Sequence, residues 1–143
     1  MKKSLNVKAE KGMTLIELLV VLAILALVAG LVGPAVMDKF GGAQRKTAVI
    51  EINGIISALD IYKLEVGRYP SNDEGLAALV EKPASAKGWN GPYLSDRKVP
   101  VDPWDREYIY KYPGANGGVE VISYAVDGQP GGEGDAADIS SND

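Results

Sequence analysis

Residues 11–37 of the sequence, KGMTLIELLVVLAILALVAGLVGPAVM, decide the first half of the fold. From Met13 to Met37 the stretch contains one charged residue, Glu17. About 20 apolar residues at about 1.5 Å each are enough to cross a bilayer as a helix. The sequence therefore predicts a membrane-spanning helix over residues 13–37. A charge at the centre of such a helix costs roughly 2.5–3.5 kcal/mol on insertion, and acids within membranes are usually paired, so Glu17 is expected to have a partner.

A secretory signal peptide and a plain single-pass anchor are the simpler interpretations of this segment. A signal peptide has an apolar core of roughly 7–15 residues, which is shorter than residues 13–37, and no clear cleavage site follows the run. Residues 1–12 carry a net charge of +3, because four lysines stand against Glu10. That charge favours an N-terminus in the cytoplasm and a body outside it.

Composition narrows the function classes. The chain has no histidine and no cysteine, which removes the commonest general base and any disulfide framework. The net charge of the chain is −4 and that of residues 1–12 is +3, so residues 13–143 carry a net charge of −7. Such a negative body argues against nucleic acid as a partner, and no catalytic constellation is present. The protein is not expected to be an enzyme.

Apolar periodicity continues beyond the predicted span. Val49, Ile52, Ile56 and Leu59 recur at helical spacing, and Gly67 is a typical helix stop. We expect one helix over residues 14–66, with weak points at residues 33–34, a Gly-Pro pair that bends or extends it, and at residues 41–42, a Gly-Gly pair.

The second half of the chain predicts a small α+β body. Ser71 and Glu74 have the spacing of a capping box before a short helix that ends at Val80. Residues 83–103 form a loop in which the expected packing anchors are Trp89, Tyr93 and Leu94. Alternating apolar residues predict two antiparallel strands over residues 107–112 and 119–124. The acidic, glycine-rich residues 127–143 follow, and we expect the last four to be loose.

The motif K-G-M-T-L-I-E at residues 11–17, followed by the long apolar run, resembles the class III signal of type IV pilins and pseudopilins. The resemblance implies that a prepilin peptidase cuts after Gly12 and that the new N-terminus, Met13, is methylated. Residues 1–12 are then a cleaved leader, and residues 13–37 an assembly helix. Glu17 would pair with the amine of Met13 on a neighbouring subunit.

Five further motifs resemble, in the same order, the major pseudopilins of type II secretion systems: R-Y-P, E-G-L-x-A-L, G-P-Y-L, V-D-P-W-D and D-G-Q-P-G-G-E-G-D-A-A-D-I. The resemblance implies a pilin-like fold, with a long helix packed on an antiparallel sheet, and a periplasmic domain over residues 38–143. It also implies a structural subunit of the periplasmic pseudopilus, drawn from the inner membrane, that helps to move folded proteins across the outer membrane.

The partners that this resemblance implies are other copies of the chain, minor pseudopilins, the prepilin peptidase and an inner-membrane assembly platform. The alternative is a type IV pilin of an adhesive or motility fibre. Type IV pilins usually close their C-terminal region with a disulfide, which this chain cannot form.

Residues 127–138 are the expected replacement for that disulfide, and we call them the acidic loop. By composition alone the loop is a disordered acidic tail, but Ca²⁺ binds six to eight oxygens from carboxylates and carbonyls, and the resemblance implies a calcium site here. Transferred by position, its ligands are the side chains of Asp127 and Asp138, with Asp135 and the carbonyls of Tyr124 and Gln129 as additions. Ile139 is expected to pack back onto the body.

Asp102 and Asp105 flank Pro103-Trp104 and could be mistaken for a pair of catalytic carboxylates. Asp and Pro are typical turn residues, and no other catalytic group accompanies them in the sequence. We therefore expect a turn that packs Trp104 on the sheet.

Overall fold

The computed structural model describes residues 12–143, apart from the side chains of Ala35, Met37 and Asp38. Nearly all of the predicted leader, residues 1–11, thus lies outside the described residues. The chain forms two compact units, which divide between Lys39 and Phe40.

One helix, α1, runs over Leu15–Val66 and contains Pro34, close to the expected bounds of 14 and 66. It stops where predicted: Gly67 has a φ of 87° and donates its amide to the carbonyl of Lys63 at 2.8 Å. A left-handed residue at this place ends many helices, and glycine adopts that conformation without a steric penalty.

In the second unit, the buried face of α1 differs from the predicted face at one position. Ile52 and Leu59 are buried as expected and Ile56 is partly buried, but Val49 is 45% exposed. Five of the buried residues are spaced alternately four and three apart, which keeps them on one helix face: Ala48, Ile52, Ile55, Leu59 and Tyr62. Ala58, next to Leu59, is buried as well. The apolar pattern that includes Val49 is offset from this face because a small residue, Ala48, fills the first position.

The predicted capping box is present, but the helix behind it is shorter than expected. The Glu74 amide donates to Ser71 Oγ at 3.2 Å, and the Ser71 amide donates to Glu74 Oε2 at 2.8 Å. The helix itself is a single 3-10 turn, Leu76–Leu79, because Gly75, at φ 54°, interrupts the chain after the box.

Glu74 also links three segments of the body. Its carboxylate receives both Nη atoms of Arg68 at 2.7 Å and the hydroxyl of Ser85 at 2.7 Å. These bonds, above all those from the Arg68 guanidinium, lower the pKa of Glu74 to about 2. The cluster ties the end of α1 to the loop that starts at residue 83.

The three expected anchors of that loop are confirmed. Trp89, Tyr93 and Leu94 are partly buried and pack against the core. Two of them also make hydrogen bonds to the 3-10 turn: Trp89 Nε1 donates to the carbonyl of Ala78 and the Tyr93 amide to the carbonyl of Leu79, both at 2.7 Å.

The sheet has three antiparallel strands in the order β1-β2-β3: β1 (Ile109–Lys111), β2 (Glu120–Ser123) and β3 (Ile139–Ser140). The two predicted strands are present but shorter than 107–112 and 119–124. The third was not predicted, because two residues carry no periodicity. Val121 and Ile139 belong to the same core cluster as the inner face of α1, so the long helix and the small antiparallel sheet share one core, as expected.

The prediction that the last four residues are loose is wrong. Ser141 donates its amide to the carbonyl of Val121 at 2.9 Å and accepts the Val121 amide on Oγ at 3.1 Å. The Ser140 amide donates to Asp143 Oδ2 at 2.8 Å. The end of the chain is thereby fixed on β2 by its backbone and by short polar side chains.

Candidate functional site

The first candidate site is the start of α1, where Gly12, Met13 and Glu17 lie. Gly12 is outside the helix, and Met13 is 64% exposed. The Glu17 amide donates to Thr14 Oγ1 at 3.3 Å, and the Thr14 amide lies 3.5 Å from Glu17 Oε2. This is the reciprocal geometry of a capping box. The sequence signal for it, T-x-x-E ahead of an apolar run, is present at residues 14–17, although this capping box was not among the predicted features.

The capping box gives Glu17 a function within its own chain, at the positive end of the helix dipole. The cap uses one carboxylate oxygen through a long hydrogen bond. The carboxylate therefore retains the capacity to accept a further donor, such as an amine on another molecule.

The helix that follows exposes its apolar side chains. It contains an 18-residue window with a mean hydropathy of 3.0, and none of that window is buried. Large apolar residues are exposed on every side of it, among them Leu15, Ile16, Leu25, Leu27 and Leu31. By length and composition this helix can span a membrane, and a helix that is apolar all round needs an apolar environment.

The second candidate site is the acidic loop, and the three of its four acids that are expected ligands contact different groups. Asp127 Oδ1 accepts the Gln129 amide at 3.1 Å, and Asp138 Oδ2 accepts the Gly131 amide at 2.9 Å. The Asp135 carboxylate lies against Gly41 of α1, 3.1 Å from the position that a Cβ there would occupy. Within residues 12–143, no group of three or more acidic side chains has the arrangement of a metal site.

The expected carbonyl ligands lie at the start of the loop. The carbonyl of Tyr124 accepts the Gly128 amide at 3.0 Å, which leaves it one further lone pair. Gln129 lies one residue after Gly128, in the turn formed by the hydrogen bond from its own amide to Asp127 Oδ1. Tyr124, Asp127 and Gln129 are therefore neighbours, while Asp138 closes the far end of the loop against Gly131.

One buried side-chain oxygen of the loop lacks a hydrogen-bond partner. Asp138 Oδ1 is buried and accepts no hydrogen bond. A buried carboxylate oxygen without a donor is costly, and a cation relieves that cost. The donor chemistry of this loop, carboxylates and carbonyls without sulfur or imidazole, is the chemistry that Ca²⁺ prefers. The residues present fit a calcium ion in these two respects.

Two arginines that were not predicted as functional residues bind the acidic loop and the residues directly before it. Arg106 donates to the carbonyls of Ala125 and Val126, the latter at 2.8 Å. Gly128 has a φ of 67°, and a Cβ there would lie 2.8 Å from the Arg106 guanidinium. From α1, Arg45 Nη1 donates to the carbonyls of Asp135 at 3.2 Å and Ala137 at 2.6 Å. These hydrogen bonds join residues 19 to 92 positions apart in the sequence, so no local sequence pattern predicts them.

Asp102 is a structural residue, as expected, and it is buried. Its Oδ1 accepts the amides of Trp104 at 3.0 Å and Arg106 at 2.9 Å, and its Oδ2 accepts the Ser123 hydroxyl at 2.6 Å. Three donors thus occupy the carboxylate, and the turn places Trp104 against the core. These three hydrogen bonds fix the turn to Ser123 of β2, and they leave the Asp102 carboxylate unavailable as a general acid or base.

Comparison with known families gives two matches that together span almost the whole chain. Residues 7–33 match the prokaryotic N-terminal methylation motif, and residues 35–142 match the family of type II secretion system protein G.

Individual relatives agree with the family matches. The chain is 43% identical over 140 residues to the type II secretion system core protein G of Pseudomonas aeruginosa, with 95% of this chain and 97% of that protein covered. It is 40% identical over 139 residues to the same protein of Vibrio cholerae, with 95% and 94% covered. The structure resembles the major pseudopilin of enterohaemorrhagic Escherichia coli, with a TM-score of 0.63 at 30% identity, covering 73% of this chain and 91% of that one.

Proposed function

The chain belongs to the type II secretion system protein G family, and we infer from this that it is a major pseudopilin, the structural subunit of a type II secretion pseudopilus. The observation that carries the inference is the match of both halves, the methylation motif over residues 7–33 and protein G over residues 35–142. Subunits of this kind assemble into a helical fibre in the periplasm that helps to move folded proteins across the outer membrane.

A type IV pilin of an adhesive or motility fibre is the second candidate. Such a pilin would share the N-terminal methylation motif, but the match over residues 35–142 and the relatives at 40% and 43% identity favour the pseudopilin. The family is one of structural subunits, which agrees with the use of Asp102 in a turn.

Complementation tests this function. The gene is expressed in a type II secretion strain that lacks its major pseudopilin, and the exported enzyme is measured in the medium. We expect restored secretion, with a chain that lacks residues 13–37 as the inactive control. Expression of the full chain without any secretion, together with bundles of surface fibres that mediate adhesion, would support the pilin instead.

We propose that the mature chain begins at Met13. The support is the sequence K-G-M-T-L-I-E within the matched methylation motif and the exposed, non-helical position of Gly12 and Met13. A prepilin peptidase would cut after Gly12, and the new amine would be methylated. Small, exposed residues ahead of a helix are accessible to a protease, whereas helical residues are held by their hydrogen bonds.

We propose that Glu17 recruits the next subunit by pairing with the methylated amine of Met13 on a neighbour. The capping box leaves its carboxylate able to accept a further donor, and a pair of opposite charges attracts strongly where the surroundings are apolar. Both groups lie within five residues of each other at the head of an exposed apolar helix. Neighbouring copies in register could therefore satisfy both charges at one depth.

The unprocessed chain is a membrane-anchored component of the secretion system, and we propose a single pass through the inner membrane. The net charge of +3 on residues 1–12 favours a cytoplasmic N-terminus, which places the body in the periplasm. From there an inner-membrane assembly platform would move the chain into the fibre, whose other components would include minor pseudopilins.

We propose that the acidic loop binds Ca²⁺. Asp127 and Asp138 would supply carboxylate oxygens and Tyr124 and Gln129 carbonyl oxygens, with Asp135 as a further acid. The unpartnered Asp138 Oδ1 supports this assignment. When bound, Ca²⁺ supplies the positive charge that offsets the repulsion among the acids of the loop. The remaining residues orient the site: Arg106 and Arg45 fix the carbonyls at its two ends, and the Gly131 amide orients Asp138.

A further inference from the structure

Three neighbouring residues of α1 contact two separate segments of the body. Arg45 Nη1 donates to the carbonyls of Asp135 and Ala137 in the acidic loop. Gln44 Nε2 donates to the carbonyl of Pro103, in the turn closed by Asp102, at 3.0 Å. Gly41 admits the Asp135 carboxylate to within 3.1 Å of its missing Cβ. These residues lie at the start of the second unit, directly after Phe40.

The helix is intrinsically weak at this point. Two consecutive glycines, Gly41 and Gly42, have the poorest helix propensity of any residue except proline. A Cβ on Gly41 would make a tight contact of 3.1 Å with the Asp135 carboxylate, whereas a Cβ on Gly42 would contact nothing within 4 Å. A weak turn of helix opens locally unless tertiary contacts hold it closed. Here those contacts come from Arg45, which bonds to the loop, and from Gln44, which bonds to the carbonyl of Pro103.

The acidic loop in turn receives contacts from the helix. It has four left-handed glycines, Gly128, Gly131, Gly132 and Gly134, and its acids repel one another. Arg45 is the cation of α1 that donates to it, and hydrogen bonds from a charged donor are stronger than those between neutral groups. Each of the two weak segments therefore helps to order the other.

We propose that residues 41–45 form a clasp, with Arg45 as its positioning residue, that couples the order of the acidic loop to the order of α1. The proposal rests on the proposed calcium site for its regulation: a cation that favours the ordered loop also favours the ordered helix. Ca²⁺ thereby acts on the part of α1 that follows the membrane-spanning segment in the sequence.

Hydrogen exchange measured residue by residue tests the clasp in the full chain in detergent, with Ca²⁺ or with a calcium chelator. Helical amides of residues 45–49 bond to carbonyls of residues 41–45, so their exchange reports opening of the clasp. The amides of Gly131 and Asp138, which are hydrogen bonded within the loop, report the loop. We compare the parent with Arg45→Met, which keeps a side chain of similar length and removes the donor, and with Lys46→Met, the same change at an exposed neighbour.

In the parent, we expect Ca²⁺ to slow exchange at residues 45–49 by about tenfold or more, within the roughly hundredfold that a ligand at a hundred times its Kd allows. In Arg45→Met the effect at 45–49 should fall below about twofold, while Ca²⁺ still slows the loop amides. Lys46→Met should behave like the parent. Slowing of the loop without slowing at 45–49 in the parent, or an unchanged effect in Arg45→Met, would overturn the clasp.

The two proposals fail in different ways. If Ca²⁺ does not change the exchange rates of the loop amides in the parent, the proposed calcium site is wrong. The clasp is then tested by comparing the parent with Arg45→Met in the absence of metal. Arg45→Met must then exchange faster than the parent both at residues 45–49 and at Ala136 and Ala137. Equal rates at those positions would overturn the clasp by itself.

Discussion

Glu17 is the residue whose position most needs an explanation, because it places a carboxylate in a helix that otherwise suits a bilayer. Its hydrogen bonds with Thr14 explain how one chain tolerates it. A cap stabilises a helix end by about 1 kcal/mol. Glu17 lies in the first turn of α1, so the roughly 2.5–3.5 kcal/mol cost of a charge at the centre of a membrane helix is an upper bound on its own cost. The proposed partner on another subunit would offset the part of that cost that the cap does not cover.

We predict that Glu17→Ala inserts into the membrane and is cleaved, but enters fibres poorly, because the amine of a neighbour loses its counter-charge. The measurement is the amount of chain in sheared fibre preparations relative to the amount in the membrane. Thr14→Val is the control, since it removes the capping hydroxyl and keeps the carboxylate. It should assemble far better than Glu17→Ala. Equal assembly of Glu17→Ala and the parent would refute the pairing.

Asp102 stabilises the body through three accepted hydrogen bonds at a buried site. We predict that Asp102→Asn lowers the free energy of unfolding by about 1–3 kcal/mol, because the amide replaces an acceptor by a donor and leaves buried groups unpaired. Asp105→Asn makes the same chemical change in the same turn at an exposed residue, and Asn tolerates the left-handed backbone there. It should change stability by less than about 0.5 kcal/mol. Denaturant unfolding of residues 38–143 compares the two, and equal losses would contradict this account.

Glu74 makes stability depend on pH in the acid range. Its pKa is lowered from 4.5 to about 2 in the folded protein, chiefly by the Arg68 guanidinium. The stabilisation is therefore complete above about pH 4.5 and is lost as the pH falls toward 2. We predict that Glu74→Gln reduces stability at pH 7 and flattens the fall in melting temperature between pH 4.5 and 2. A fall as steep as that of the parent would assign the acid sensitivity to other groups.

At the scale of elements, the acidic loop is the part whose stability we expect to depend on a ligand. We predict that Ca²⁺ at a hundred times its Kd stabilises residues 38–143 by about 2.7 kcal/mol. For a domain of this size that corresponds to roughly 10–20 °C in melting temperature. The rise should be absent with Mg²⁺, which demands a tighter octahedral geometry, and should be lost in Asp127→Ala and Asp138→Ala.

Thermal unfolding with Ca²⁺, with Mg²⁺ and with chelator measures the effect. Glu133→Ala, at an exposed acid of the same loop, is the matched control and should keep most of the rise in melting temperature with Ca²⁺. Identical melting curves with Ca²⁺ and with chelator would mean that the loop is held by Arg45 and Arg106 alone.

The elements differ in how much of them the sequence predicts. Helix α1 and its end at Gly67 follow from local signals, namely apolar periodicity and a glycine stop, and both are confirmed. Strand β3 has two residues and exists only through its pairing with Ile122 and Ser123 of β2. The bonds of Arg45 to the loop join residues 90 and 92 positions apart. Such contacts depend on the folded arrangement and leave no pattern in the nearby sequence.

At the scale of the molecule, the chain divides its functions between its two units. The first presents an apolar helix, without buried residues in its most apolar window, which suits a membrane first and the helices of other copies later. The second buries its own core, and its C-terminal end is fixed by hydrogen bonds where a disulfide is impossible. This division is what a subunit needs if it is stored in a membrane and then built into a fibre.

The central claim is that this chain is processed at Gly12 and then builds a fibre. Its most direct test is mass spectrometry of the N-terminus of the protein in fibres sheared from secreting cells. We predict a fibre whose main component begins at N-methylated Met13. A chain found only in the membrane, with residues 1–12 intact, would contradict the account and leave a single-pass anchor in its place.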